Sequence, residues 1–224
     1  MALTLSDGMS PSVASTYGTA NTTTAVSNAA NAVFSQSAGH ALVVGDIVEI
    51  TSPGWPLIDG RLARVSAVST NDITLEGINT SNTTKFPAGG AASGGSLRKI
   101  TAWTALAQLT ELDPSGDEAK YFTYQFMDQL RERNIPVGKS ALVLQFTKLD
   151  DPALSDLAVL QSAEDSGQRR GFRFVYRGGS GATPPRSLFN ALVSVGSMSI
   201  PQKGGANIRR LALAIDADPT EYAT

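Results

Sequence analysis

Tyr121-Phe122-Thr123-Tyr124-Gln125-Phe126-Met127, followed closely by Arg133-Asn134-Ile135-Pro136, is the stretch that decides the fold. Aromatic and β-branched side chains favour a pleated surface. The residues alternate in chemistry, so Phe122, Tyr124 and Phe126 share one face while Thr123 and Gln125 share the other. The aromatic row is read as the core face of a strand rather than a stacking platform for sugars or bases. The same holds for Phe172, Phe174 and Tyr176 further on. Nothing in this stretch resembles a catalytic loop.

Working outward, the second half of the chain carries the strongest strand signals. Trp103 to Leu112 and Ala141 to Lys148 flank Tyr121 to Met127 on either side. Between the first two strands lies an acidic loop, Glu111-Leu112-Asp113-Pro114-Ser115-Gly116-Asp117-Glu118. Leu142, Leu144 and Phe146 form a buried face, with Val143, Gln145 and Thr147 opposite. Asp151-Pro152 predicts the start of a helix over 151–166, with Asp151 as N-cap and proline at the first position, where no N–H is needed. Leu154, Leu157, Ala158 and Leu160 give it an apolar stripe, and Gly167 ends it. Glu164 and Asp165 sit where the helix dipole disfavours acids, so they are expected to be solvated or paired with Arg169 and Arg170. Phe172 to Arg177, Ser187 to Ile200 (with a bulge at Gly196) and Asn207 to Asp216 read as further strands, and 178–185 as a mobile loop.

The first half is written in shorter units. Residues 1–20 are small and polar and read as an arm, which is either disordered alone or ordered against a neighbouring subunit. Residues 21–100 read as a small β module. Asn31 to Ser35 is a candidate strand, and Asp46-Ile47-Val48-Glu49-Ile50 alternates strictly. Arg61 to Val68 and Asn71 to Glu76 form a hairpin pair. Short strands at roughly ten-residue spacing suggest a small barrel. Residues 88–96 are Gly-rich and read as a flexible loop.

Composition narrows the classes of function. The 224 residues include 21 Gly and 11 Pro, only 17% charged residues, and no cysteine. Turn formers are plentiful, and the 42% hydrophobic share suffices for a packed core. A net charge of −2 leaves no basic excess for gripping phosphates, so any contact with DNA should be weak and not sequence-specific. Without cysteine there is no thiol nucleophile and no thiolate metal site. No apolar run reaches the length of a membrane-crossing helix, and Met1 to Pro11 lacks the pattern of a secretion signal.

Catalytic constellations find little material. His40 is the sole histidine and lies in a Gly-rich turn, where a structural hydrogen bond is the preferred reading. The carboxylate pairs Asp150-Asp151 and Glu164-Asp165 read as a cap and a solvated corner rather than as a glycosidase dyad. The Gly-rich loops lack the Gly-Lys-Ser/Thr ending of a phosphate loop. No catalytic, cofactor or metal residues are assigned. Arg169, Arg170, Arg173 and Arg177 are the best anion binders. They are read as partners of the acidic loop or helix, in the same or a neighbouring subunit.

The order of Trp103, the acidic loop ending at Glu118, Tyr124-Gln125-Phe126-Met127-Asp128, Arg133-x-Ile135-Pro136, Lys139-Ser140-Ala141, Phe146, Asp150-Asp151, Ala163-Glu164-Asp165, Arg173 and Pro219-Thr220-Glu221-Tyr222 resembles the major tail tube proteins of long-tailed bacteriophages. The resemblance spans 101–224, the expected tube domain. The pattern Ala38-Gly39-His40-x-Leu42-x-x-Gly45-Asp46-x-Val48 resembles a small β module of phage virion proteins. The implied fold is mainly β: a sandwich or barrel of two packed sheets flanked by one helix, plus the N-terminal barrel-like module.

The implied function is structural. Hexameric rings stack into a hollow tube that encloses the tape-measure protein, meets the tail terminator and distal tail proteins, and passes DNA. The implied location is the virion tail, after synthesis in the host bacterial cytoplasm. Thr123, Gln125, Gln145 and Thr147 are the expected bore residues. Asp113, Asp117, Glu118, Arg169, Arg170, Arg173 and Arg177 are the expected inter-subunit residues. Either the loop 111–120 or the Pro-rich loop 180–186 is expected to reach the adjacent ring. A baseplate or receptor-binding component and a polysaccharide-acting enzyme are the competing readings.

Overall fold

The computed structural model describes residues 9–37, 39–51, 54–88, 95–151, 153–175, 187–202 and 205–222. In the first half the strands are β1 (Ser10–Thr22), β2 (Ala25–Val26), β3 (Val33–Ser35), β4 (Ile47–Thr51), β5 (Leu62–Val68), β6 (Asp72–Glu76) and β7 (Ser96–Ala105). The second half holds β8 (Leu109–Ser115), β9 (Ala119–Tyr124), β10 (Arg133–Lys139), β11 (Val143–Leu149), helix α1 (Ser155–Ser166), β12 (Arg170–Val175), β13 (Ser187–Val195), β14 (Ile208–Ile215) and β15 (Thr220–Glu221). The fold is mainly β and sandwich-like.

Thirteen strands share one sheet, in the order β2-β3-β6-β5-β4-β7-β1-β12-β13-β14-β11-β8, with β15 added to β13. The remaining pair, β9 and β10, forms a separate antiparallel hairpin. The strands of the first half therefore form one wing of a shared sheet. The divisions expected near residues 20 and 100 run through β1 and β7.

The described part of the N-terminal segment is not an arm. β1 lies between β7 and β12, pairing antiparallel with both, and Val13 and Ala14 are fully buried. Its Ser, Ala, Thr and Gly residues, which look like disorder by composition, suit a crowded interior site. A side chain at neighbouring Gly171 would meet Ile100, Leu62 and Ala14.

Apolar burial is organised in three clusters. One fills the first wing around Phe34, Trp55, Ile73 and Leu75. A second fills the other wing around Phe146, Phe172, Phe189 and Leu211, and α1 covers it with Leu157, Leu160 and Ala163. A third, with Ala14, Leu62, Ile100, Leu188 and Tyr222, joins them. Each large aliphatic or aromatic side chain so buried stabilises the fold by about 1.5–3 kcal/mol before entropy is counted. Phe172 and Phe174 are core residues, as their alternation predicts. Leu144 and Phe146 are too.

Several local expectations are corrected. β4 does not alternate: Ile47, Val48, Glu49 and Ile50 are all buried, because the strand lies between β5 and β7 with packing on both faces. Glu49 is tolerated there because Arg98 and Asn190 bond its carboxylate at 2.6 and 3.0 Å. Trp103 to Leu112 is two strands, parted by a corner at 106–108 where Gln108 takes a left-handed φ of 59°. The acidic loop is largely strand, since β8 pairs with β11. Pro114 fits because β8 is the last strand of its sheet and needs no N–H on the open side.

The helix starts at Ser155 with Leu154 as N-cap. Asp151 instead accepts from the N–H of Ala153, in a turn before the helix. Pro152 lies outside the described residues, as do the glycines at 89, 90 and 94 and the loop at 178–186. Ala158 is exposed, and the buried positions are Asp156, Leu157, Leu160 and Ala163. Gly167 ends the helix in the left-handed conformation, as expected.

Candidate assembly surfaces

The aromatic stretch that announces the strand does not face the core. Tyr121, Phe122 and Phe126 are 60%, 59% and 54% exposed, and Met127 and Leu130 at the tip are fully exposed. Phe122, Tyr124 and Phe126 pack on one another along one face, with centroid distances of 6.3 and 5.2 Å. Register places Ile135 opposite Phe122 on that face. The opposite face mixes Tyr121 and Pro136 with Thr123 and Asn134, and Thr123 donates to Asn134 at 2.8 Å. The pattern places a strand here, which ends at Tyr124 rather than Met127, but could not say what covers its aromatic face. An isolated two-stranded hairpin is marginal in water, and contiguous exposed apolar groups mark an interaction surface.

The hairpin is aimed by the segment before it. Gly116, at φ 98°, turns the chain out of β8, and a side chain there would strike the carbonyl oxygen of Ala141. Asp117 follows at a positive φ of 61° and pairs with Lys139 at 2.8 Å across the hairpin base. The N–H of Glu118 donates to Ser140 Oγ at 2.9 Å. β8 ends the large sheet, so its outer backbone groups are open to a further strand.

The four expected bore residues fall on two surfaces. Thr123 and Gln125 belong to the hairpin, where Gln125 donates to the carbonyl of Gln129 at 2.7 Å. Gln145 and Thr147 lie on β11, opposite Asp113 and Glu111 of β8. With Arg210 they line a shallow polar groove. One protomer does not bring the two sets together.

The charged candidates divide by partner. Asp117 is engaged by Lys139. Arg169 is not paired with Glu164 or Asp165. It spans the junction of the two wings, reaching Asp216 at 3.0 Å, Asp59 at 3.4 Å and Glu49 at 3.5 Å. Glu164 instead accepts from the N–H of Val195 at 3.1 Å, at the end of β13. Arg170 and Arg173 sit over the rings of Tyr17 and Trp103 at 5.7 and 4.7 Å. Each has a buried Nε with no hydrogen-bond partner among the described residues. Burial lowers the pKa of Arg173 from its ordinary value. Among the described residues, Asp113, Glu118, Arg170 and Arg173 have no oppositely charged partner. Arg177 lies outside the described residues.

The groups considered for catalysis are engaged structurally. His40 Nε2 contacts the carbonyl of Ser69 at 3.1 Å, and its Nδ1 accepts from the N–H of Leu42 at 3.2 Å. That pattern needs the neutral Nε2–H tautomer. Asp150 pairs with Arg209 at 3.0 Å, and that charged hydrogen bond holds its pKa below the ordinary value. No cluster of three or more metal-ligating side chains occurs among the described residues. None of their helices is long and apolar enough to cross a membrane.

Two arrangements escaped the sequence reading. Lys148 is buried against Asp156, although its place two residues beyond Phe146 puts it on the core face. Asp156 likewise falls on the buried side of α1, four residues before Leu160. The other arrangement is the C-terminal strap. β15 pairs with β13, and the Tyr222 hydroxyl accepts from the N–H of Arg64 at 2.7 Å and donates to the carbonyl of Glu76 at 3.3 Å.

No curated protein matches the chain. A family model described as phage tail tube protein, TTP, matches residues 53–224 and so takes in much of the first wing as well as the second. An exposed amphipathic hairpin, an open sheet margin and unpaired charges are the surfaces that a self-assembling tube subunit requires, and by that match the chain belongs to the phage tail tube protein family.

Proposed function

We propose that this structural subunit of the virion tail forms hexameric rings that stack into a hollow tube, through which DNA passes during ejection. The observation that carries the reading is the β9–β10 hairpin, whose apolar face has no cover among the described residues. Family membership supplies the coarser part, self-assembly into a tail tube. In this reading the hairpin packs on a neighbouring copy, and the open margin at β8 is completed by another. Head-to-tail contacts close into rings when the rotation permits and propagate as filaments when it does not.

Gln145 and Thr147, with the groove beside them, are our bore residues on the sheet, and Thr123 and Gln125 their counterparts on the hairpin. Asp113 and Glu118 meet Arg170 and Arg173 across the interface, where desolvation strengthens the attraction. Asp117 and Arg169 shape the protomer instead, and Arg177 joins the basic set. Residues 21–100 and 101–224 correspond to the two wings of one sheet, and either 111–120 or 180–186 reaches the adjacent ring. The tube encloses the tape-measure protein and is capped by tail terminator and distal tail proteins, after synthesis in the host cytoplasm.

Negative-stain microscopy of the purified protein at rising concentration tests this directly. Hollow tubes are expected from the full chain, and only protomers from a variant in which a short Gly-Ser turn replaces 119–139. Arg173→Glu and rising salt should each slow tube growth. A full chain that stays monomeric at high concentration would overturn the proposal.

A further inference from the structure

We infer that the buried Lys148–Asp156 pair is a positioning device for assembly: by holding both backbone polar groups of Ala107, it sets the direction in which β8 and the hairpin leave the sandwich. The consequence for assembly rests on the tube reading above; the geometry does not. Ala107 lies in the corner between β7 and β8. Its N–H donates to Asp156 Oδ2 at 3.0 Å, and its carbonyl accepts from Lys148 Nζ at 2.8 Å. The two side chains meet at 2.9 Å and are 1% and 2% exposed. They come from β11 and α1, so a single residue of the corner is tied to two other elements.

The residues on either side are held as well. The N–H of Leu106 donates to the carbonyl of Pro11 at 2.9 Å, and the carbonyl of Gln108 accepts from the N–H of Leu149 at 3.0 Å. Gln108 Nε2 donates to Asp151 at 3.2 Å. The left-handed backbone of Gln108 is a conformation that persists only where surroundings impose it.

A charged pair is a poor choice if stability were its purpose. Replacing a buried ion pair by apolar groups of similar volume is often neutral or stabilising. Asp156 Oδ1 is moreover buried without a partner among the described residues. What the pair supplies is direction, because hydrogen bonds in a low-dielectric interior fix geometry as apolar contacts do not. Downstream of the corner come the surfaces proposed for assembly, and the hairpin has no buried core of its own. β8 continues from the corner along β11 and Gly116 then turns the chain into the hairpin, so the corner and that turn together fix where the tip points.

The test compares two double variants. Lys148→Met/Asp156→Leu fills the space but cannot bond Ala107. Lys148→Gln/Asp156→Asn keeps a donor and an acceptor for it. The first should fold by circular dichroism, show faster amide exchange at 109–115, and fail to form regular tubes. The second should match the natural protein in both exchange and tube formation. Regular tubes and unchanged exchange in the apolar variant overturn the inference, as does an amide variant that folds but forms no tubes. If the apolar variant does not fold, the Ala107 amide of the natural protein decides. Protection like that of β13 supports the lock, and exchange as fast as in exposed turns overturns it. If the natural protein itself forms no tubes, the tube reading fails, while exchange at 109–115 in the variants still judges the lock.

Discussion

Single residues show how the protomer spends its few polar groups. Tyr222 joins Arg64 and Glu76 of the first wing, and burial pushes its pKa up to about 12. An ordinary tyrosine titrates near 10. The folded state therefore holds this proton more tightly than the unfolded chain. The stability so gained is complete below about pH 10, falls as the pH rises toward 12, and amounts to about 3 kcal/mol. Denaturant titrations between pH 8 and 12 should show that fall, and Tyr222→Phe should flatten it while lowering stability at pH 8. Gly116 gives a second prediction. Its φ of 98° and the nearby Ala141 carbonyl leave no room for a side chain. Gly116→Ala should cost about 1–3 kcal/mol by chemical denaturation. A variant as stable as the natural chain would show that the turn out of β8 is not held as described.

At the scale of elements, α1 and the hairpin illustrate what a sequence can convey. The helix was legible because Leu157, Leu160 and Gly167 obey local rules of spacing and termination. Its start was misplaced, because Asp151 bonds locally one turn too early to cap it. Leu157→Asp would bury an unpaired charge against the second core, a loss of more than about 4 kcal/mol. No soluble folded protein is expected; a normally folded variant would remove the helix from its place on the sheet. The pairing of β9 with β10 was written in aromatic alternation, but its exposure was not. Burial depends on what lies opposite, and here the cover belongs to no residue of the same protomer that the structure describes. β8 was hidden for a related reason: its acids and Pro114 look like loop, and only the distant β11 makes them strand. Gln145 and Thr147 lie on the face of β11 opposite Leu144 and Phe146, as the alternation reads. The partners of Arg169 were not legible, because its three acids are scattered over more than half the chain.

For the whole molecule, one large sheet whose two wing cores are joined by a third cluster predicts shared fate. Trp55 reports on the first core and Trp103 packs against the junction. Their fluorescence, separated by single Trp→Phe variants, should follow coincident thermal transitions. Two separate midpoints would show that the wings fold independently, in favour of autonomous domains. Self-association through open sheet margins carries a general hazard, because a strand that accepts one neighbour can accept any. Pro114 stands in β8, and Pro136 in β10 opposite Tyr121. Each removes one backbone donor from an exposed ladder. Unlimited cross-β stacking is interrupted at both places, so a crowded pool of unincorporated subunits should resist conversion to amyloid fibrils even while every copy keeps its sticky margins.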